Sequence, residues 1–67
     1  MPNALMTDLE MIAAIEALGW RMTYNSGTDV GANKPGSGYM LVSGSPHLTN
    51  NDVLTRLHER ISNAEQS

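Results

Sequence analysis

The chain contains no cysteine. Disulfides and thiolate zinc sites are therefore excluded as supports. The histidines, His47 and His58, lie 11 positions apart, which matches no familiar ligand spacing, so we expect no metal and no cofactor. Basic residues are scarce: four Lys and Arg stand against seven Asp and Glu, for a net charge of −3. That balance disfavours a protein that grips phosphate backbones by bulk charge. The acidic excess is also too small for a nucleic-acid mimic. No apolar run approaches a membrane span. The segment from Met1 to Met6 has neither the basic nor the apolar region of a signal peptide. We therefore expect no membrane partner and a cytoplasmic location. Met6 reads as an alternative start, which would make 1–5 a disordered extension, and we expect 1–6 to be flexible.

At 67 residues, a single domain buries a modest share of its surface and is marginal by itself. With disulfides and metal excluded, a partner chain is the remaining support.

Two helix starts are written into the sequence. Thr7 and Glu10 form a capping box, with Met6 and Met11 placed as a hydrophobic staple. A helix over 8–18 follows, ended by Gly19 in the left-handed position. Met11, Ile12, Ile15 and Leu18 share its buried stripe, and Ala13, Ala14 and Ala17 lie opposite with Glu10. Thr49 and Asp52 repeat the box with Asp in place of Glu, and Leu48 and Val53 repeat the staple. Val53, Leu54, Leu57 and Ile61 form the second buried stripe. Arg56, Glu59 and Arg60 face water.

Between the helices, Trp20, Met22 and Tyr24 alternate with Arg21 and Thr23, the period of a half-buried strand. A second strand covers 39–43. Tyr39 and Leu41 point one way, Met40 and Val42 the other, so both faces are apolar. The expected fold is α+β: a small α-β-β-α domain over 7–63, with a two-stranded antiparallel hairpin packed by two helices and a polar tail at 64–67. Such a hairpin has two open edges, so we expect homo-oligomerisation to extend the sheet, with Met40, Val42, Ala13 and Ala17 at interfaces.

Residues 25–38 exceed the needs of a hairpin turn and read as a long Gly/Ser-rich loop. Its glycines let backbone approach a ligand, and Lys34 is the only lysine. Ser26, Thr28, Gly31, Asn33, Lys34, Ser37 and Gly38 together make a candidate cradle for a small anion such as a nucleotide. The Walker pattern is not met, because Lys34 is followed by Pro35 and a strand.

No catalytic set stands out, and we expect no enzyme. Ser45, His47 and Asp52 are near in sequence, which is not triad geometry. So short a chain also leaves little room for a preorganised, water-excluding site. Trp20, Tyr24 and Tyr39 could stack on bases, but filling the core explains them more simply. An RNA-binding role is disfavoured because Arg21, Lys34, Arg56 and Arg60 are scattered.

The helix ending in Leu18, Gly19, Trp20 and Arg21, followed by a hairpin and a second helix, resembles in topology small toxin-like and double-stranded-RNA-binding-like folds. The functional histidine and basic patches of those families are not matched, so no site residue carries over. In size and style the chain resembles the accessory proteins encoded by phages and mobile elements. The expected function is a non-catalytic protein-binding role, as an inhibitor or adaptor acting on a larger protein. The alternative is a homo-oligomer that sequesters a small anionic ligand.

Overall fold

Thr7 opens the first helix as the sequence implies. Its hydroxyl accepts from the Glu10 amide at 3.2 Å, and the Glu10 carboxylate accepts from the Thr7 amide at 2.8 Å, so two backbone donors that the helix would orphan are satisfied. In the computed structural model, which describes residues 6–26 and 28–66, α1 runs Asp8–Ala17. It ends in a Schellman motif. The Gly19 amide donates to the Glu16 carbonyl and the Trp20 amide to the Ile15 carbonyl, with Gly19 at φ 92°. That φ strains any residue with a side chain, which is why glycine stands there.

The chain then forms β1 (Arg21–Asn25), β2 (Asp29–Lys34) and β3 (Gly38–Ser43), and closes with α2 (Asn50–Gln66). The sheet is an antiparallel meander in the order β1-β2-β3. The architecture is α+β, with three strands where the sequence suggests two. The third strand lies inside the segment expected as a loop. Val30 and Ala32 of β2 are fully buried, and the alternating Asp29, Gly31 and Asn33 take the other face. Pro35 and Gly36 make the β2–β3 turn. The Ser37 amide donates to the Lys34 carbonyl at 2.9 Å and Gly36 sits at φ 84°, the type II pattern of Pro then Gly. The first connection is closed by the Ser26 hydroxyl, which accepts from the Asp29 amide at 3.1 Å.

Both helices pack on one face of the sheet, with α1 against β1 and α2 against β2 and β3. The core is Met11, Ile15, Trp20, Val30, Ala32, Val42, Val53, Leu54, Leu57 and Ile61. Each large aliphatic among them stabilises the fold by roughly 1.5–3 kcal/mol through burial. Thr49 caps α2: its hydroxyl accepts from the Asp52 amide at 3.1 Å, and the Asp52 carboxylate accepts from the Thr49 amide at 3.0 Å. Those bonds favour the charged carboxylate and hold the Asp52 pKa below its usual value, with Arg56 adding a smaller pull. The helix continues to Gln66, so most of the expected polar tail at 64–67 is helical. The expected extension at 1–6 lies outside the described residues except for Met6.

Polar contacts fix the helix ends. The Asn51 side chain donates to the Asp8 carboxylate at 2.9 Å and to the Met6 carbonyl at 2.8 Å. The Asn50 amide donates to the Asn25 side-chain oxygen at 2.8 Å. These bonds tie the start of α2 to α1 and to the end of β1.

Candidate functional site: the outer face of the sheet

A β-bulge decides what the outer face carries. Met22 pairs with Ala32, but the next pair is Tyr24 with Gly31. Thr23 is the extra residue. Strict alternation from Trp20 through Met22 would turn Tyr24 inward. The bulge shifts the phase, and Tyr24 emerges on the solvent side, 50% exposed. The expectation that all three aromatics fill the core therefore holds for Trp20 alone.

On β3, Val42 is 4% exposed and Met40 packs half-buried against the core. Tyr39 and Leu41 point away from the helices and are 56% and 47% exposed. Met40 and Val42, the residues expected at an interface, are on the helix-facing side of the strand, Val42 within the core and Met40 at its margin. Ala13 and Ala17 are exposed on α1, beside Leu9 at 78% exposure.

Gly31 organises the outer face. It pairs with Tyr24 on one side and Leu41 on the other. A Cβ at this position would run into the Tyr39 hydroxyl, and would lie 3.1 Å from the ring carbon bearing it and 3.4 Å from a Leu41 methyl. The Tyr39 side chain therefore lies across the bare backbone of Gly31, which is buried beneath it. Tyr24, Tyr39 and Leu41 together leave about 300 Å² of largely apolar surface in one patch, on the scale of side chains this size. Arg21 and Asn33, paired across β1 and β2, border it at one end, and Asp29 and Ser43, paired across β2 and β3, border it at the other.

The candidate anion cradle is not assembled. Ser26 and Thr28 sit at the β1–β2 connection. Lys34, Ser37 and Gly38 sit at the β2–β3 turn, at the other end of β2. The length of that strand separates the two groups by roughly 17 Å. Gly31 and Asn33 are strand residues on the outer face, and the Asn33 amide donates to the Gly38 carbonyl at 3.1 Å. Lys34 donates to the Glu65 carboxylate at 2.8 Å, so its charge is already partnered. The same Glu65 oxygen accepts from the Trp20 indole at 3.1 Å. The Lys34 bond, followed by the Trp20 bond, holds the Glu65 carboxyl below its ordinary pKa.

Ser45, His47 and Asp52 do not form a triad. The Ser45 hydroxyl accepts from the His47 amide at 3.3 Å, and the Asp52 carboxylate is occupied at Thr49. Among the described residues no group of three His, Asp or Glu side chains converges as metal ligands, no pocket opens, and no helix is long and apolar enough to cross a membrane.

The sequence carried a usable signal for this site. Pro35 followed by Gly36 marks a turn, and Val30 and Ala32 alternate with polar neighbours. Both were masked by the Gly, Asn and Asp content of the segment, since these residues are depleted in strands. No family model, curated protein or solved structure matches this chain.

Proposed function

We propose that this protein is a non-catalytic binding protein that acts on a larger protein as an inhibitor or adaptor, and that the outer sheet face is its contact surface. The observation that carries the reading is the cluster of Tyr24, Tyr39 and Leu41 over Gly31, half-exposed on a sheet whose other face packs against the helices. Tyrosine combines a large apolar ring with a polar tip and suits interfaces for that reason. A patch of about 300 Å² is on the scale of the largest exposed apolar patch of a monomer, and such patches often serve binding.

The sequestering alternative has less support. Its residues divide between opposite ends of β2, and its only lysine is paired with Glu65. It requires a second subunit to bring the halves together. A thermal shift with millimolar nucleotide that is lost in Lys34→Ala would favour it.

The test compares the proteins retained by the immobilised wild-type chain, by Tyr24→Ser/Leu41→Ser, and by Arg56→Ala/Arg60→Ala. The outer-face variant should lose a specific partner, and binding to that purified partner should weaken at least about tenfold, the scale of a central interface contact. The α2 variant should keep it. Equal retention by the outer-face variant and the wild type defeats the reading.

A further inference from the structure

The two edges of the sheet are not equivalent. On β1, the Thr23 bulge interrupts the ladder and Arg21 supplies a charge, two devices that discourage pairing with another strand. On β3, the residues Gly38, Tyr39, Met40, Leu41, Val42 and Ser43 run in unbroken register against β2, with no charge and no proline. Among the described residues β3 pairs with β2 alone, and α2 lies beneath β3 on the core side. The β3 edge is thus an unprotected template for one more strand.

We propose that this edge pairs antiparallel with β3 of a second copy, giving a continuous six-stranded sheet about a two-fold axis at Met40. Side-chain parity limits the registers. Residues facing each other across an antiparallel pair share a face, so the axis must pass through a residue rather than between two. At Met40 it places Tyr39 opposite Leu41 of the second copy, twice, and Gly38 opposite Val42. At Leu41 it would place Tyr39 opposite Ser43 instead. The Met40 register matches each exposed aromatic with an exposed aliphatic, the favoured cross-strand pairing. It also brings the two half-buried Met40 side chains together over the helix-facing side. A second copy suits the edge because an uncharged strand meets itself without like-charge opposition. The chain, lacking disulfides, also gains a larger core.

The consequence concerns the outer face. Edge pairing leaves it open and joins the two patches of Tyr24, Tyr39 and Leu41 into one surface, to which both copies contribute. The pairing does not depend on the proposed partner and is tested without one. The paired segment is short and buries less than the roughly 800 Å² per partner of a standard interface, so the dimer is reversible.

Sedimentation velocity of the purified full chain, from about 1 µM to about 1 mM, spans the affinities such a contact allows. The wild type should shift from monomer to dimer. Leu41→Lys, a change at a half-exposed position, should remain monomeric with an unchanged circular dichroism spectrum. Thr23→Lys, on the opposite edge, should dimerise like the wild type. Because the chain has no cysteine, single-cysteine variants read the register directly. A residue on the axis meets its own copy at a Cα separation that a disulfide can span. Met40→Cys should therefore give a covalent dimer under mild oxidation faster than Leu41→Cys. A wild type that stays monomeric throughout overturns the proposal and leaves the edge to a strand of another protein. A dimer lost in Thr23→Lys but kept in Leu41→Lys overturns it too. Cross-linking in Leu41→Cys but not Met40→Cys overturns the assigned register.

Discussion

The Glu65 carboxylate sits 2.8 Å from the Lys34 ammonium, near the end of the last helix and at the last residue of the central strand. The same carboxylate oxygen takes the Trp20 indole hydrogen at 3.1 Å. One side chain therefore satisfies the only polar atom on the Trp20 ring and pins the C-terminal turns of α2 to the sheet. The ion pair is about one-third exposed and solvent-screened, so its role is positional more than energetic.

Acid should loosen this contact in a defined window. The folded pKa of Glu65 lies below its ordinary value of 4.5. A depressed carboxylate pKa contributes stability that is fully present above the unfolded value and lost as pH falls through the folded one. Thermal midpoints followed from pH 7 downward should fall below about pH 4.5, the unfolded glutamate range. Asp52 titrates in the same direction, so Glu65→Gln should flatten only part of the slope. Trp20 fluorescence should change in that variant and not in Asp52→Asn. An unaltered acid limb and an unaltered Trp20 signal in Glu65→Gln would show that the contact is not formed in solution.

Neighbouring residues on β3 should respond oppositely to the same change. Val42→Ser removes buried methyls and introduces a hydroxyl into the core, and should cost about 2 kcal/mol or more in urea unfolding. Leu41→Ser, at a half-exposed position on the outer face, should stay within about 0.5 kcal/mol of the wild-type monomer. A reversed order would mean that the strand faces the other way.

Two glycines separate flexible from rigid crowding. At Gly31 the obstacle is the far end of the Tyr39 side chain, whereas at Gly44 a Cβ would meet the backbone carbonyl of Thr28 and lie 2.7 Å from a Val53 methyl. Gly31→Ala should cost less than about 1 kcal/mol but lift the Tyr39 ring, visible as altered ring chemical shifts. Gly44→Ala has no flexible tip to displace and should cost about 2 kcal/mol or more, the scale of overpacking. Similar costs at both sites would contradict the placement of Tyr39.

The elements whose grammar is local are legible in the order of residues. The Thr7 and Thr49 boxes, the Gly19 stop and the 3.6-residue stripes of both helices follow from neighbours within a turn or two, and they appear as written. The strand at 29–34 has no such local grammar. Gly31, Asn33 and Asp29 disfavour a strand taken alone, and only pairing on both sides with β1 and β3, plus burial of Val30 and Ala32 against the helices, stabilises it. Which residues meet depends on packing between elements far apart in the chain. Whether Tyr24 turns in or out depends on the Thr23 bulge, and which side of β3 is open depends on where two helices distant in sequence come to rest. The partner of Lys34 is not local either: Glu65 is 31 positions away. The candidate cradle came apart for the same reason: residues close along the chain were placed at opposite ends of an extended strand, where each step carries them about 3.4 Å further apart.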